Sequence, residues 1–211
     1  MDTCITAHCT IRGNRIHLNG ALAYEAPDPA ADLNTFLVGA YRHFSVQYPK
    51  FFKMDALCKL AFLTAELVLP AAGVLARQAP AAVGLVLANR SSSLLTDLAH
   101  QRSIADVASY FPSPSVFVYT LPNILVGEIS IRHQLTGENA LFVADAFEPA
   151  VLEAYAGQLL AEGASQACLC GWVEAAPDAY ESFFYVVEQG VAPLPHHIAS
   201  LNTLHAFSLT Y

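Results

Sequence analysis

From Ile5 to Leu18 the chain alternates β-branched and polar residues around the pair Gly13-Asn14, which predicts a strand or short hairpin. A loose stretch from Glu25 to Asp32, with Pro27 and Pro29, separates this opening from the helices. Leu33 to Tyr48 reads as helical, and Asp55 is placed to cap a long helix running to about Ala76. That helix is apolar around most of its circumference, so it is expected to be buried on several sides. After Pro80 the run Ala82 to Ala88 is a short apolar strand, and the Ser91 to Ser93 cluster opens a helix ending near His100. Pro112 and Pro114 break the chain before a helix over roughly Thr120 to Leu135, with Pro122 in its first turn and Gly137 as its C-terminal cap. Ala140 to Ala144 is a strand leading into a helix from Phe147 to about Gly163. Asp145 is its expected N-cap, and Glu148 and Pro149 fall in its first turn. Gln166 to Glu174 and Ser182 to Glu188 are apolar, β-branched or aromatic strands. The order is strand, helix, strand, helices, strand, helix, strand, strand, an α/β class. With no internal repeat, low-complexity block or long linker, residues 1–211 read as one domain.

Composition adds a question of surface. Apolar residues make up 55% of the chain and charged residues only 13%, against roughly 25% in an ordinary soluble domain. Some of the surface is therefore expected to be covered, by a membrane or by a protein. A spanning helix needs about 20 consecutive apolar residues. The best stretch, Leu57 to Ala76, is broken by Lys59, Glu66 and Pro70, so a large protein interface is expected and a membrane span is not. A net charge of −8 with ten Lys and Arg argues against nucleic acid. Met1 to His17 holds no apolar run suited to a signal peptide, which points to a reducing cytoplasm and free thiols. Cys4, Cys9, Cys58, Cys168 and Cys170 show neither C-x-x-C spacing nor a histidine at zinc-site intervals, so neither metal nor cofactor is expected.

Ordered local motifs carry a resemblance. Ser113-Pro114, the hydrophobic stretch from Val116 to Tyr119, Thr120-Leu121-Pro122-Asn123 and Gly127 are similar to a β-ketoacyl synthase pattern. Leu135-Thr136-Gly137-Glu138-Asn139 resembles the L-x-G-P-N run before that family's nucleophile strand. Cys170-Gly171-Trp172-Val173-Glu174-Ala175 resembles its A-G-G-A-E strand end, with Trp172 in place of a glycine. The resemblance is strongest from Val83 to Ala175 and implies a single thiolase-like half, βαβαβαββ, with helices packed on a mixed five-stranded sheet. It also implies where the chemistry is missing. Active ketosynthases place a cysteine at the strand-to-helix elbow, where the helix dipole favours a thiolate. Here that elbow reads Val143-Ala144-Asp145-Ala146-Phe147, so the position falls on Ala146 or Phe147. The family's catalytic histidines belong to a second half, for which no residues remain before Tyr211.

The resemblance therefore implies a catalytically silent subunit, similar to the chain length factors that pair with an active ketosynthase in polyketide or fatty-acid-type pathways, including aryl-polyene synthesis. Dimerisation is implied along Ala140, Leu141, Phe142, Val143 and Ala144, with an active ketosynthase or a second copy as partner. Val116, Phe117, Tyr119, Leu121, Ala146 and Phe147 are the implied acyl-tunnel or interface residues. Arg42, Lys50, Lys53 and Lys59 cluster in one short segment, read either as a docking patch for an acidic acyl carrier protein or as a solvated face. Cys168 and Cys170, two apart on one strand, read as buried thiols, with a relocated nucleophile as the alternative. His196-His197 reads as a solvated loop pair. Two further function classes stay open: a thioesterase or acyltransferase using Cys168 or the C-terminal histidines, and a homo-oligomeric acyl-binding scaffold.

Overall fold

The computed structural model describes residues 2–106, 108, 110–176, 179–190 and 194–207. The alternating start forms β1 (Thr3–Arg12), which turns into β2 (Arg15–Leu18) through Gly13 and Asn14, at φ 54° and 60°. Two successive positive φ angles are what a two-residue hairpin turn with the right twist demands. Asn19 and Gly20, at 50° and 81°, repeat the device and add β3 (Ala21–Glu25). The three strands form an antiparallel meander. Because β3 has no buried position, hydrophobic alternation does not mark it.

Asp32 caps α1 (Leu33–His43), its carboxylate accepting the Thr35 N–H at 3.0 Å. The helix stops before Tyr48 because Ser45 takes a left-handed φ of 53°. A 3-10 turn (Pro49–Lys53) leads to α2 (Ala56–Ala72), capped by Asp55 Oδ1 on Cys58 N–H at 2.8 Å. Left-handed Gly73 interrupts the helix expected to reach Ala76, and α3 (Val74–Arg77) is a separate turn. β4 (Val83–Asn89) and α4 (Leu94–Ile104) follow.

The single helix expected over Thr120 to Leu135 is instead α5 (Pro114–Phe117), a 3-10 turn (Val118–Thr120) and α6 (Ile124–His133). Pro122 is the cause, since the residue before a proline is pushed out of the helical region, and Leu121 has φ −96° and ψ 116°. Left-handed Gln134 ends α6, not Gly137. Gly137 serves close approach: a Cβ there would meet the carbonyl oxygens of Val83 and Ala81 at 2.7 and 2.9 Å. β5 (Asn139–Val143), α7 (Pro149–Ala161), β6 (Ala167–Ala175) and β7 (Tyr180–Gln189) complete the sheet. The N-cap position of α7 is Glu148, because Pro149 occupies the first helical position, so Asp145 stays in the preceding loop. The C-terminal α8 (Ile198–Phe207), a segment to which the sequence pattern assigned no element, is a helix packed against α7.

Among the described residues the sheet has seven strands, not five, in the order β3-β2-β1-β7-β6-β4-β5. The opening segment contributes three strands where a strand or short hairpin was expected. β4, β5 and β6 run parallel, and β6-β7-β1 antiparallel. Every residue of β4 and β6 is buried, which is why they read as continuous apolar runs. Leu85, Leu87, Leu169, Val173, Phe184 and Val186 build one core beneath α1, α2 and α6. Val86, Ala88, Cys170, Trp172, Phe183 and Tyr185 build a second beneath α7 and α8. A bulge between Ile5 and Ala7 lets two residues of like spacing serve opposite cores.

The polar breaks in the Leu57 to Ala76 stretch are packing devices. Lys59 donates to Asn34 at 2.6 Å. Glu66 receives Arg132 through two nitrogens, at 2.7 and 3.0 Å, and His133 at 3.0 Å, tying α2 to α6. Burial opposes ionisation of Glu66, yet these hydrogen bonds prevail and hold its carboxyl at about 2. No single helix among the described residues is long and apolar enough to cross a membrane.

Candidate functional site

The chain leaves β4 for β5 over the face carrying α4 to α6, then leaves β5 for β6 over the opposite face through α7. The carboxyl ends of β5, β4 and β6 thus flank a topological switch point, where open α/β sheets form their clefts. A cleft of about 540 Å³ lies there. Arg90 follows β4, Asp145, Ala146 and Phe147 follow β5, and Trp172 and Glu174 end β6. The strand-to-helix elbow singled out in the sequence therefore lines the cleft, and it carries no thiol.

Three distant segments supply the polar wall. Arg12 and Glu181 are register partners across β1 and β7 and form an ion pair. The other Glu181 oxygen accepts the Trp172 indole N–H at 2.6 Å. From α8, His205 stands 3.3 Å from the Arg12 guanidinium and stacks on Phe147 with ring centroids 4.4 Å apart. Glu174 Oε2 accepts the N–H groups of Arg90 and Ser91 at 2.8 and 3.0 Å. No local sequence signal announces Arg12, Glu181 or His205 as neighbours, because pairing of the first strand with the last creates the cluster. Among the described residues, no group of three His, Cys, Asp or Glu side chains converges as a metal site.

Burial, then the charge of Arg12, lowers His205 to about 4, and burial, then His197, lowers His196 to the same value. Both therefore fold as neutral imidazoles. A pKa below the unfolded value of 6.5 means stability is complete above pH 6.5 and falls as pH drops through 4. Glu66, about 2 against 4.5, adds a further loss between pH 4.5 and 2. Denaturant melts should show stability falling from pH 6.5, and His205→Gln should flatten the fall between 6.5 and 4. A His205→Gln profile parallel to wild type would refute this origin.

The other sequence candidates fall in separate places. Ala140, Leu141, Phe142 and Val143 lie on β5, the edge strand, with Ala144 just beyond it, and Val143 is 60% exposed. Phe117 and Leu121 are 57% and 54% exposed, Val116 is half-buried, and Val116 and Tyr119 line a second groove with Lys53 and Leu95. Tyr119 differs from its neighbours: it turns into the chain's own core and donates to Glu128 at 3.1 Å. Lys50 pairs with that same Glu128 at 2.8 Å, and Lys59 is engaged with Asn34. Arg42 and Lys53 are exposed and form no ion pair among the described residues.

All five cysteines are buried. Cys168 and Cys170 share the face of β6 that lies under α7; the contact between the two thiols favours ionisation of Cys168, whereas burial raises Cys170. His196 lies in a loop but is not solvated: it is buried against the Tyr185 hydroxyl at 3.3 Å, and its backbone N–H donates to Thr3 O at 2.9 Å. His197 alone is exposed.

No protein-family model matches the chain and no curated protein is similar to it in sequence. Solved structures do match. The ishigamide ketosynthase/chain length factor aligns over 93% of this chain at 18% identity, with a TM-score of 0.64. AntDE, a type II ketosynthase in complex with the acyl-carrier protein AntF, aligns over 89% at 13% identity and 0.59. This chain spans 64% and 62% of those two chains. The complex of the ketosynthase ApeO with its chain length factor ApeC from Xenorhabdus doucetiae aligns over all of this chain and 93% of the matched one, at 15% identity and 0.59. The fold is the thiolase-like α/β fold of the ketosynthase/chain length factor proteins.

Proposed function

We propose that the chain is a catalytically silent subunit that pairs with an active ketosynthase and bounds the acyl tunnel of the pair, in polyketide or fatty-acid-type biosynthesis, aryl polyenes included. The elbow carries the reading. β5 delivers Ala146 and Phe147 to the switch-point cleft, and neither a methyl nor a phenyl ring can attack a thioester. The five thiols lie in the cores instead. Burial of Cys168 and His196 likewise counts against an independent thioesterase. A matched chain within the complex of a ketosynthase and its chain length factor supports the partner-subunit reading. Decarboxylative condensation then occurs on the ketosynthase, while this chain offers the β5 edge and the Val116, Phe117 and Leu121 side chains to the shared surface, with Tyr119 as their anchor. Ala146 and Phe147 close the silent cleft. Arg42 and Lys53 are the cations left for an acidic carrier protein, the partner type that the AntDE complex contains.

Purified and mixed with acyl- and malonyl-carrier protein, the chain should yield no acyl adduct by intact mass and no ketoacyl product. An adduct on any residue sinks the reading. In the reconstituted pair, Phe117→Ala should lengthen the product by one or two extension units, since each buried methylene is worth about 0.8 kcal/mol. Assembly with an unchanged length distribution would make these side chains mere packing.

A further inference from the structure

The exposed segment at α5 is tied to the carboxyl ends of the strands by a short relay. Glu174, 6% exposed, clamps the turn after β4 by accepting the N–H groups of Arg90 and Ser91 on Oε2. These are charge-assisted hydrogen bonds, stronger than neutral ones. Oε1 has no hydrogen-bond partner among the described residues, so the clamp rests on one oxygen. Asn89 Nδ2 holds the same turn by donating to Ser92 O at 2.8 Å, where Ser92 takes a left-handed φ of 55°. Ser93, buried at the end of the turn, donates its hydroxyl to Thr120 O at 2.8 Å. The Asp97 carboxylate, at 3.1 and 3.2 Å, is the more distant acceptor for that single proton.

Thr120 closes the 3-10 turn Val118–Thr120, between buried Tyr119 and exposed Leu121. The turn has no side-chain cap and buries only Tyr119. Such a segment has little local stability of its own, so one fixed carbonyl weighs heavily on where it sits. We propose that Glu174 and Ser93 are positioning residues that set the height of the Val116 to Leu121 segment. The length boundary is thereby governed from the strand ends as well as by the size of its own side chains. This rests on reading the segment as a tunnel wall.

Hydrogen exchange of the isolated chain tests the relay without any partner, at the amides of Phe117 and Ile124, bonded within the segment to Ser113 and Leu121 carbonyls. Ser93→Ala should speed both by about tenfold, the loss of one net hydrogen bond of roughly 1.4 kcal/mol. Glu174→Ala should do the same, while Glu174→Gln, which keeps an acceptor for both N–H groups, stays near wild type. Should Glu174→Ala fail to fold, Ser93→Ala and Glu174→Gln decide the matter. Wild-type exchange in Ser93→Ala overturns the relay. In the reconstituted pair Ser93→Ala should broaden the product-length distribution. If lengths shift with Phe117→Ala but not with Ser93→Ala, the positioning role is overturned and the tunnel-wall reading stands. If they shift with neither, that reading falls.

Discussion

Gly171→Ala should destabilise the chain by about 3 kcal/mol or more, a fall in Tm of roughly 6–12 °C for a domain of this size. Gly171 faces Phe184 across β6 and β7. A Cβ there would lie 2.3 Å from Phe184 Cδ1, 2.4 Å from Phe183 O and 2.9 Å from Phe184 Cα. The ring can turn, but the two backbone atoms cannot yield without parting two central strands, on which both cores depend. The internal control is a pair of helical glycines, Gly127 in α6 and Gly157 in α7, whose added Cβ would meet nothing within 4 Å. Replacing either with alanine should raise stability by about 0.5–1 kcal/mol. Thermal melts in which Gly171→Ala matches wild type would show that the strands can spread at little cost.

That glycine was visible in the sequence as part of a motif, while its reason was not, because the contact spans two strands. The same division runs through the fold. Asp55 and its apolar helix, the parallel strands and the buried thiols were legible because burial and capping write themselves into local pattern. Hidden elements had weak local signals or were masked by stronger ones. β3 is exposed at every marked position or only half-buried, although the Asn19-Gly20 turn before it is a hairpin signal. In α8 the spacing of Ile198, Leu201 and Leu204 is helical, but three apolar positions in a short segment are too weak a signal to announce an element. At the site, the elbow was legible because it is contiguous. Arg12, Glu181 and His205 were not, since their meeting depends on β1 pairing with β7 and on α8 folding back. The segment at α5 was assigned as a block, yet Tyr119 faces inward and Phe117 outward, a distinction set by the 3-10 turn.

Val143→Pro should abolish pairing with a ketosynthase or a second copy, weakening it by at least about 100-fold, while the isolated chain stays folded. The direction of the backbone groups on β5 gives the reason. Its bonds to β4 run from Leu85 N–H to Glu138 O and from Ala144 N–H to Asn89 O, at 2.8 and 2.9 Å. In a parallel ladder alternate residues bond the same neighbour, so Glu138, Ala140, Phe142 and Ala144 serve β4 while Asn139, Leu141 and Val143 point their N–H and C=O groups outward. Edge strands of stable monomers are blunted with charge, proline or bulges. β5 carries none among Asn139-Ala140-Leu141-Phe142-Val143, whereas the opposite edge, β3, bears the Arg15–Glu25 ion pair and a register shift against β2. A free ladder beside an exposed valine fits an added strand, in which main-chain bonds supply affinity. Proline at 143 deletes an outward N–H that the chain's own sheet does not use, as edge strands tolerate. A 100-fold loss corresponds to about 2.8 kcal/mol, the scale of one lost ladder bond together with the clash of the proline ring against the added strand. Val143→Thr, which keeps the amide, should pair normally. Light scattering with and without a ketosynthase reads the association, and circular dichroism confirms the fold. Undiminished assembly of a well-folded Val143→Pro chain would move the interface away from this edge and remove β5 from the proposed pairing.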